Sequence, residues 1–212
     1  MTKFLLIKNY DLLDECIKTN ILENISNLHF KNLPKSFYTI SGINIVKFYY
    51  ELLLLNKEIN LCIAKEENSD ISGFVIWAPS KLSFKILLFR NLFRIKFKTL
   101  LSLFKLIKFD TCKRLLYKFR NSSFKNNLPN NSVTIISIVV DKDNQGKGIG
   151  TKLIDLVLDE SKKNKYDFLI ATTSSLQKNA INFYNSLINF ELIYKNKISS
   201  SYVEYTFSKN LQ

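Results

Sequence analysis

The stretch from Val133 to Thr151 constrains the fold of this chain more than any other. Val133-Thr134-Ile135-Ile136-Ser137-Ile138-Val139-Val140 is a near-continuous β-branched run, as expected of a central strand buried on both faces. The polar turn Asp141 to Asn144 ends it. Gln145-Gly146-Lys147-Gly148-Ile149-Gly150-Thr151 then opens a segment that reads as a helix from Gly148 to Lys163. Three of the chain's five glycines fall within five residues here. Such a loop frees several backbone N–H groups at a helix N-terminus, and those donors together with the helix dipole favour an anion. Gly146, Gly148 and Gly150 would let the backbone come close to it. Two nucleotide patterns do not fit. The Gly-Lys pair is not placed as in a P-loop, and the glycines read G-x-G-x-G rather than the G-x-G-x-x-G of a dinucleotide fold.

The rest of the chain alternates helical and extended patterns. Helices are predicted over Tyr10 to Asn24, with Asp11 as cap and Leu12, Leu13, Cys16 and Ile17 as the inner stripe, and over Ile43 to Leu55. A polar connector carrying His29 and Pro34 separates them. Glu58 to Ala64 and Ser72 to Ala78 read as a hairpin around the turn Glu66 to Asp70. Asn121 to Ser132 is rich in turn formers. Beyond the glycine loop come a strand (Asp167 to Thr173), a helix (Lys178 to Leu187) and two strands (Glu191 to Tyr194, Tyr202 to Phe207). No internal repeat or linker divides the 212 residues, so one domain is expected over 1–212.

The glycine loop resembles the acetyl-CoA signature of the GNAT N-acetyltransferases, V-x-x-x-x-[QR]-x-x-G-x-[GA]. Val140, Gln145, Gly148 and Gly150 occupy its four fixed positions. A second landmark of that family, N-x-x-A-x-x-[FL]-Y followed by G-F, is similar to the stretch from Gln177. Ala180, Phe183 and Tyr184 match, Gln177 stands in the Asn slot with Asn179 close by, and Asn189 replaces Gly before Phe190. Asn tolerates the left-handed conformation that such a Gly would adopt. The similarity covers about Ile59 to Ala78 and Val133 to Leu211. His29-Phe30-x-x-Leu33-Pro34-x-Ser36-Phe37 and a basic insertion resemble a bacterial subgroup of the family.

The resemblance implies an α/β (α+β) fold, with a central mixed, mostly antiparallel twisted sheet flanked by helices. It implies direct acetyl transfer from acetyl-CoA, with no metal. The diphosphate would lie on the amides of Gln145, Gly146, Lys147, Gly148, Ile149, Gly150 and Thr151, and the pantetheine arm along Ile138, Val139 and Val140. A backbone N–H near Val139 or Val140 would polarise the thioester. Tyr184 would protonate the leaving thiolate or else be a core aromatic. Gln177 and Asn179 would bond the cofactor arm or cap their helix. The acceptor would be a small-molecule amine, with an amino sugar or nucleotide-linked sugar as a candidate. A protein N-terminus, or a non-catalytic acyl-CoA-binding or membrane-surface module, are the rival readings. Glu66, Glu67 and Glu204 are candidate bases by residue type alone, and water can serve instead.

Charge bears on these alternatives. The chain carries a net +13, of which +11 lies between Ser80 and Arg120, where twelve basic residues face the single acid Asp110. Phe84, Leu87, Leu88, Leu92, Ile95, Leu100, Leu103, Leu106 and Ile107 recur there at near-helical spacing. That segment reads as a solvated amphipathic insertion, as a cover that attracts an anionic acceptor, or as a membrane-surface helix. No nucleic-acid recognition motif accompanies the charge. Cys16, Cys62 and Cys112 form no metal or disulfide pattern. The single His29 disfavours most metal sites and reads as a surface or helix-end residue, though it could act as a base. With no signal peptide and no apolar run of roughly 18 residues, a cytoplasmic location is expected, with peripheral membrane contact as the alternative.

Overall fold

The β-branched run forms a strand over Ser132–Val140 and the glycine loop leads into a helix over Ile149–Lys163. The computed structural model describes residues 2–66, 70–81, 128–199 and 202–212. In chain order these form β1 (Thr2–Ile7), α1 (Glu15–Asn32), α2 (Phe37–Ile40), α3 (Ile43–Leu54), β2 (Asn60–Glu66), β3 (Ile71–Pro79), β4 (Ser132–Val140), α4 (Ile149–Lys163), β5 (Phe168–Ser174), α5 (Lys178–Ser186), β6 (Glu191–Ser199) and β7 (Tyr202–Asn210). The strands make one seven-stranded sheet in the order β1-β2-β3-β4-β5-β7-β6. Only β4 and β5 run parallel, so the sheet is mixed and mostly antiparallel, as expected. Most of the amphipathic reading of 80–120, the candidate base Glu67 and much of the 121–132 loop lie outside the described residues.

Helices cover both faces of the sheet. On one, α1 and α3 pack Ile25, Val46, Tyr50 and Leu53 against Phe74, Ile76 and Val139. On the other, α4 and α5 pack Leu153, Val157 and Tyr184 against Trp77, Ile135, Leu169 and Phe207. This arrangement explains the β-branched run, since β4 contributes to both cores. Its burial is uneven, however. Val133, Ile135 and Val139 are buried, whereas Ile136, Ser137, Ile138 and Val140 are only partly covered.

The N-terminal region departs from expectation. Residues 2–7 form an edge strand, antiparallel to β2. The first α-helix starts later and ends later than its apolar pattern suggests. Asp14, not Asp11, is the cap, accepting from the Cys16 N–H at 2.8 Å, the arrangement that satisfies an orphan donor at a helix start. Leu12, Cys16 and Ile17 are exposed, and the buried stripe is Ile21, Ile25, Ser26, Leu28 and His29. The supposed connector around His29 is therefore the last turn of α1. His29 is 4% exposed, so its helix-end placement holds and its surface placement does not.

Candidate functional site

The site is set by a break in the sheet. β4 pairs with β5 only from Ser132 to Ile135, against Phe168 to Ala171. On its other side β4 keeps its ladder with β3 up to Val140, but with a register shift between Ile76 and Trp77 that leaves Ile136 as an extra residue. An extra residue bends a strand and increases its twist. β4 thus turns away from β5 just where the bulge sits, while β5 continues along β7 to Ser174. The outcome is a gap between two parallel strands, flanked by backbone groups of β4 that β5 does not pair.

Those groups can be assigned by alternation. The Asp141 N–H donates to Ser72 O of β3 at 2.8 Å, so Val139 shares that β3-facing side and the N–H groups of Ile138 and Val140 face the gap. Of the two amides that the resemblance suggests for thioester polarisation, Val140 is suitably directed and Val139 is engaged with β3.

At the open end of β4 the loop is pinned from behind. Lys31 Nζ reaches Asp141 Oδ1 at 3.1 Å, and the Lys142 N–H donates to Asn32 Oδ1 at 2.9 Å, so the C-terminus of α1 holds the turn. Gln145 Nε2 donates to Val140 O at 3.1 Å, bracing the end of the strand. The Gln145 N–H donates to Lys142 O at 3.3 Å, so the run of outward amides begins at Gly146. Gly146 and Gly148 adopt φ of 78° and 76°, a left-handed conformation that a side chain would strain. Gly148 is the N-cap of α4 and no side chain caps that helix. The ladder starts with the Lys152 N–H to Gly148 O, ahead of which stand the amides of Ile149, Gly150 and Thr151. Lys147 is exposed and bonds Asn144 Oδ1 at 2.8 Å. Thr151 is exposed, whereas the Ile149 side chain is core, so Ile149 can offer only its amide.

Gly150 serves a different purpose from its neighbours. A Cβ there would lie 3.2 Å from the ring of Phe183 on α5. Its missing side chain lets α4 and α5 approach, and it brings the two landmarks of the sequence into contact. Tyr184, next along α5, is 3% exposed and packs on Phe207 and Phe190 at ring-centroid distances of 5.4 and 6.0 Å. Ile138 and Val140 pack against the same cluster. Burial pushes the Tyr184 phenol well above its ordinary range, so it holds its proton and has one to donate. Gln177 occupies the N-cap position of α5 but makes no side-chain cap bond, and Asn179 is exposed in the first turn. Capping is therefore not what Gln177 does. Asn189 has φ of 61°, the left-handed conformation expected where the family pattern has Gly.

A polar chain crosses the α1/α3 face beside the gap. Ser36 Oγ lies 2.7 Å from His29 Nε2, His29 Nδ1 lies 2.6 Å from Tyr50 Oη, and Tyr50 Oη lies 2.8 Å from Ser137 Oγ on β4. Burial lowers His29 to about 4, so the ring is neutral at physiological pH. The sequence held no signal for this chain, because its members come from four separate elements. Glu66 ends β2 and Glu204 lies on β7, so neither candidate base stands on a strand lining the gap. Among the described residues no group of three or more His, Cys, Asp or Glu could hold a metal ion. A pocket of about 200 Å³ lined by Lys8, Glu58, Trp77, Glu160 and Asn164 lies at the other end of the sheet, near the bonded pair Ser80 and Ser132. It is remote from the glycine loop. No helix of the described residues is long and apolar enough to cross a membrane.

A family model described as the acetyltransferase (GNAT) family matches residues 46–190. None of the curated proteins matches the chain in sequence. Among solved structures, the ribosomal-protein-S18-alanine N-acetyltransferase of Escherichia coli has 12% identity and a TM-score of 0.57, covering 100% of this chain and 95% of that one. NAA60 of Arabidopsis thaliana in complex with acetyl-CoA has 14% identity and a TM-score of 0.58, covering 99% and 98%. An N-acetyltransferase from Staphylococcus aureus Mu50 has 16% identity and a TM-score of 0.56, covering 100% and 99%. At these identities the likeness is one of fold.

Proposed function

The chain belongs to the GNAT acetyltransferase family, and from that premise we propose that it transfers an acetyl group to a primary amine of a small molecule, an amino sugar being the first candidate. As a family member it is an acetyl-CoA-dependent acyltransferase. The observation that carries the placement of its site is the uncapped N-terminus of α4, set at the end of a strand that has parted from its parallel neighbour.

The diphosphate of acetyl-CoA lies on the amides from Gly146 to Thr151, where orphan donors and the helix dipole both favour negative charge. Exposed Lys142, Lys147 and Lys152 add to that field. The pantetheine arm enters the gap along Ile138 and Val140, taking the place of the missing β5 ladder, and the Val140 N–H polarises the thioester carbonyl. The donor approaches on the α4/α5 face, and the acceptor meets it from the α1/α3 face. The amine attacks the carbonyl carbon, the C–S bond breaks, and Tyr184 donates its proton to the departing sulfur.

Titration calorimetry with acetyl-CoA tests the donor site, and the absence of heat at saturating donor would sink the proposal. The acceptor is found by following free thiol release over a panel of amino sugars, nucleotide-linked sugars, diamines and peptides; turnover of peptides alone would replace the small-molecule reading. Tyr184→Phe keeps the ring that packs on Phe207 and removes only the hydroxyl. Its kcat is expected to fall about 100-fold, with KM for acetyl-CoA little changed. An unchanged kcat would make Tyr184 a core aromatic and nothing more.

A further inference from the structure

We propose that Ser137, Tyr50, His29 and Ser36 form a relay that carries a proton from the acceptor's ammonium group out of the site. The inference rests on the acyl-transfer reading above and assigns the base that this reading lacks. Each link is a short hydrogen bond, 2.8, 2.6 and 2.7 Å in turn from Ser137 to Ser36. The two middle members are sealed, with Tyr50 0% and His29 4% exposed. The two ends are partly open, so a proton can enter and leave only there. Ser137 is the first residue past the bulge, on the stretch of β4 that β5 has left. By alternation with Val139 its side chain belongs to the α1/α3 face, opposite the donor. Ser36 sits in the α1–α2 connection and also bonds Thr39 Oγ1 at 3.0 Å.

The relay works with the His29 proton on Nε2, bonded to Ser36, and Nδ1 accepting from the Tyr50 hydroxyl. The ammonium gives one proton to Ser137 Oγ as Ser137 passes its own to Tyr50 Oη. Tyr50 passes its own to His29 Nδ1, and His29 releases its Nε2 proton through Ser36 to water. The lone pair so freed forms the C–N bond and the C–S bond breaks. The second proton lost by nitrogen replaces the one that Tyr184 gives to sulfur. The products are the amide, the thiol of coenzyme A and one released proton. His29 is held neutral by burial, so its Nδ1 is free to accept and the proton is not trapped on it. A hydrogen-bonded chain between four elements would be a costly way merely to fill a core, since each buried polar group must be fully satisfied.

Two acceptors that differ in protonation test this in the full chain. 1,4-Diaminobutane must lose a proton before it attacks, whereas hydroxylamine is already neutral at neutral pH. Ser137→Ala is expected to lower kcat/KM for diaminobutane about 10- to 100-fold more than for hydroxylamine. Tyr50→Phe, which keeps the ring that packs on Phe74, should show the same selectivity, and Ser137→Thr, which keeps a hydroxyl, should restore the parent ratio. Equal losses for both amines, with acetyl-CoA affinity and melting temperature retained, would show that the chain only braces the fold and would overturn the relay alone. So would a parent enzyme that binds acetyl-CoA but accelerates attack by neither amine. A chain that binds no acetyl-CoA overturns the acyl-transfer reading and the relay with it.

Discussion

Thr151→Glu will weaken acetyl-CoA binding about 100-fold and leave the folded chain as stable as before, or slightly more so. Thr151 is the third residue of α4, exposed, on a helix with no side-chain cap and no acid in its first turn. A carboxylate there meets the positive end of the dipole, worth roughly 0.3–1 kcal/mol to the helix. In the proposed binding mode the same carboxylate would face the diphosphate. Two unit charges about 4 Å apart repel by about 4 kcal/mol near a protein surface, and a 100-fold loss needs only about 2.7 kcal/mol. Stability and affinity therefore move in opposite directions, which a damaged fold cannot do. Calorimetry and thermal melting read the two effects, with Thr151→Gln as the uncharged control. An unchanged Kd would place the anion elsewhere, and a fall in both quantities would mean that the helix start was disrupted.

The largest expected loss of stability comes from Phe74→Ala. Phe74 is 0% exposed at the middle of β3, with its ring set edge-on to Tyr50 at 5.5 Å and 88°. Removing it leaves a cavity between the sheet and α3 and should cost about 3–5 kcal/mol. For a domain whose whole stability is of order 5–15 kcal/mol, that would lower the urea midpoint by about 2 M. It also frees the Tyr50 ring, so under the proposed relay kcat/KM should fall further for 1,4-diaminobutane than for hydroxylamine, as expected for Ser137→Ala. A shift below about 1 kcal/mol would mean that the site collapses around the deletion and that the α1/α3 core is looser than its burial suggests.

The parts of the molecule that were legible in the sequence are those whose cause is local. The glycine loop announces itself within a dozen residues, because the strand end, the left-handed Gly146 and Gly148 and the start of α4 follow one another in the chain. Asn189 could be read as left-handed for the same reason. The β2–β3 hairpin and the α3 helix follow from patterns that repeat within single elements. Where the pattern was weak, reading failed. The stretch from Glu15 to Asn32 is rich in Asn, with Asn20, Asn24, Asn27 and Asn32, so its helix is amphipathic only slightly and its inner face does not follow from the apolar pattern of residues 12–17. β1 is an edge strand of six residues with no fully buried member, and nothing in such a run marks its partner.

His29 shows the limit most clearly. A lone histidine in a polar stretch reads as solvated, yet it is buried, because Tyr50, 21 residues on, and Ser36 satisfy both of its ring nitrogens. The role of Gly150 was likewise invisible, since the Phe183 ring that needs its missing side chain belongs to another helix. The sequence by itself determined that a β-branched strand would lead through a glycine-rich turn into a helix start, since hydrogen-bonding geometry over neighbouring residues suffices for that. Only the tertiary structure decided that β4 would part from β5 at Ile136 and that Ser137 would stand at the opening in line with Tyr50 and His29. A bulge and a buried polar chain are properties of how distant segments register against each other, and no single segment encodes that alignment.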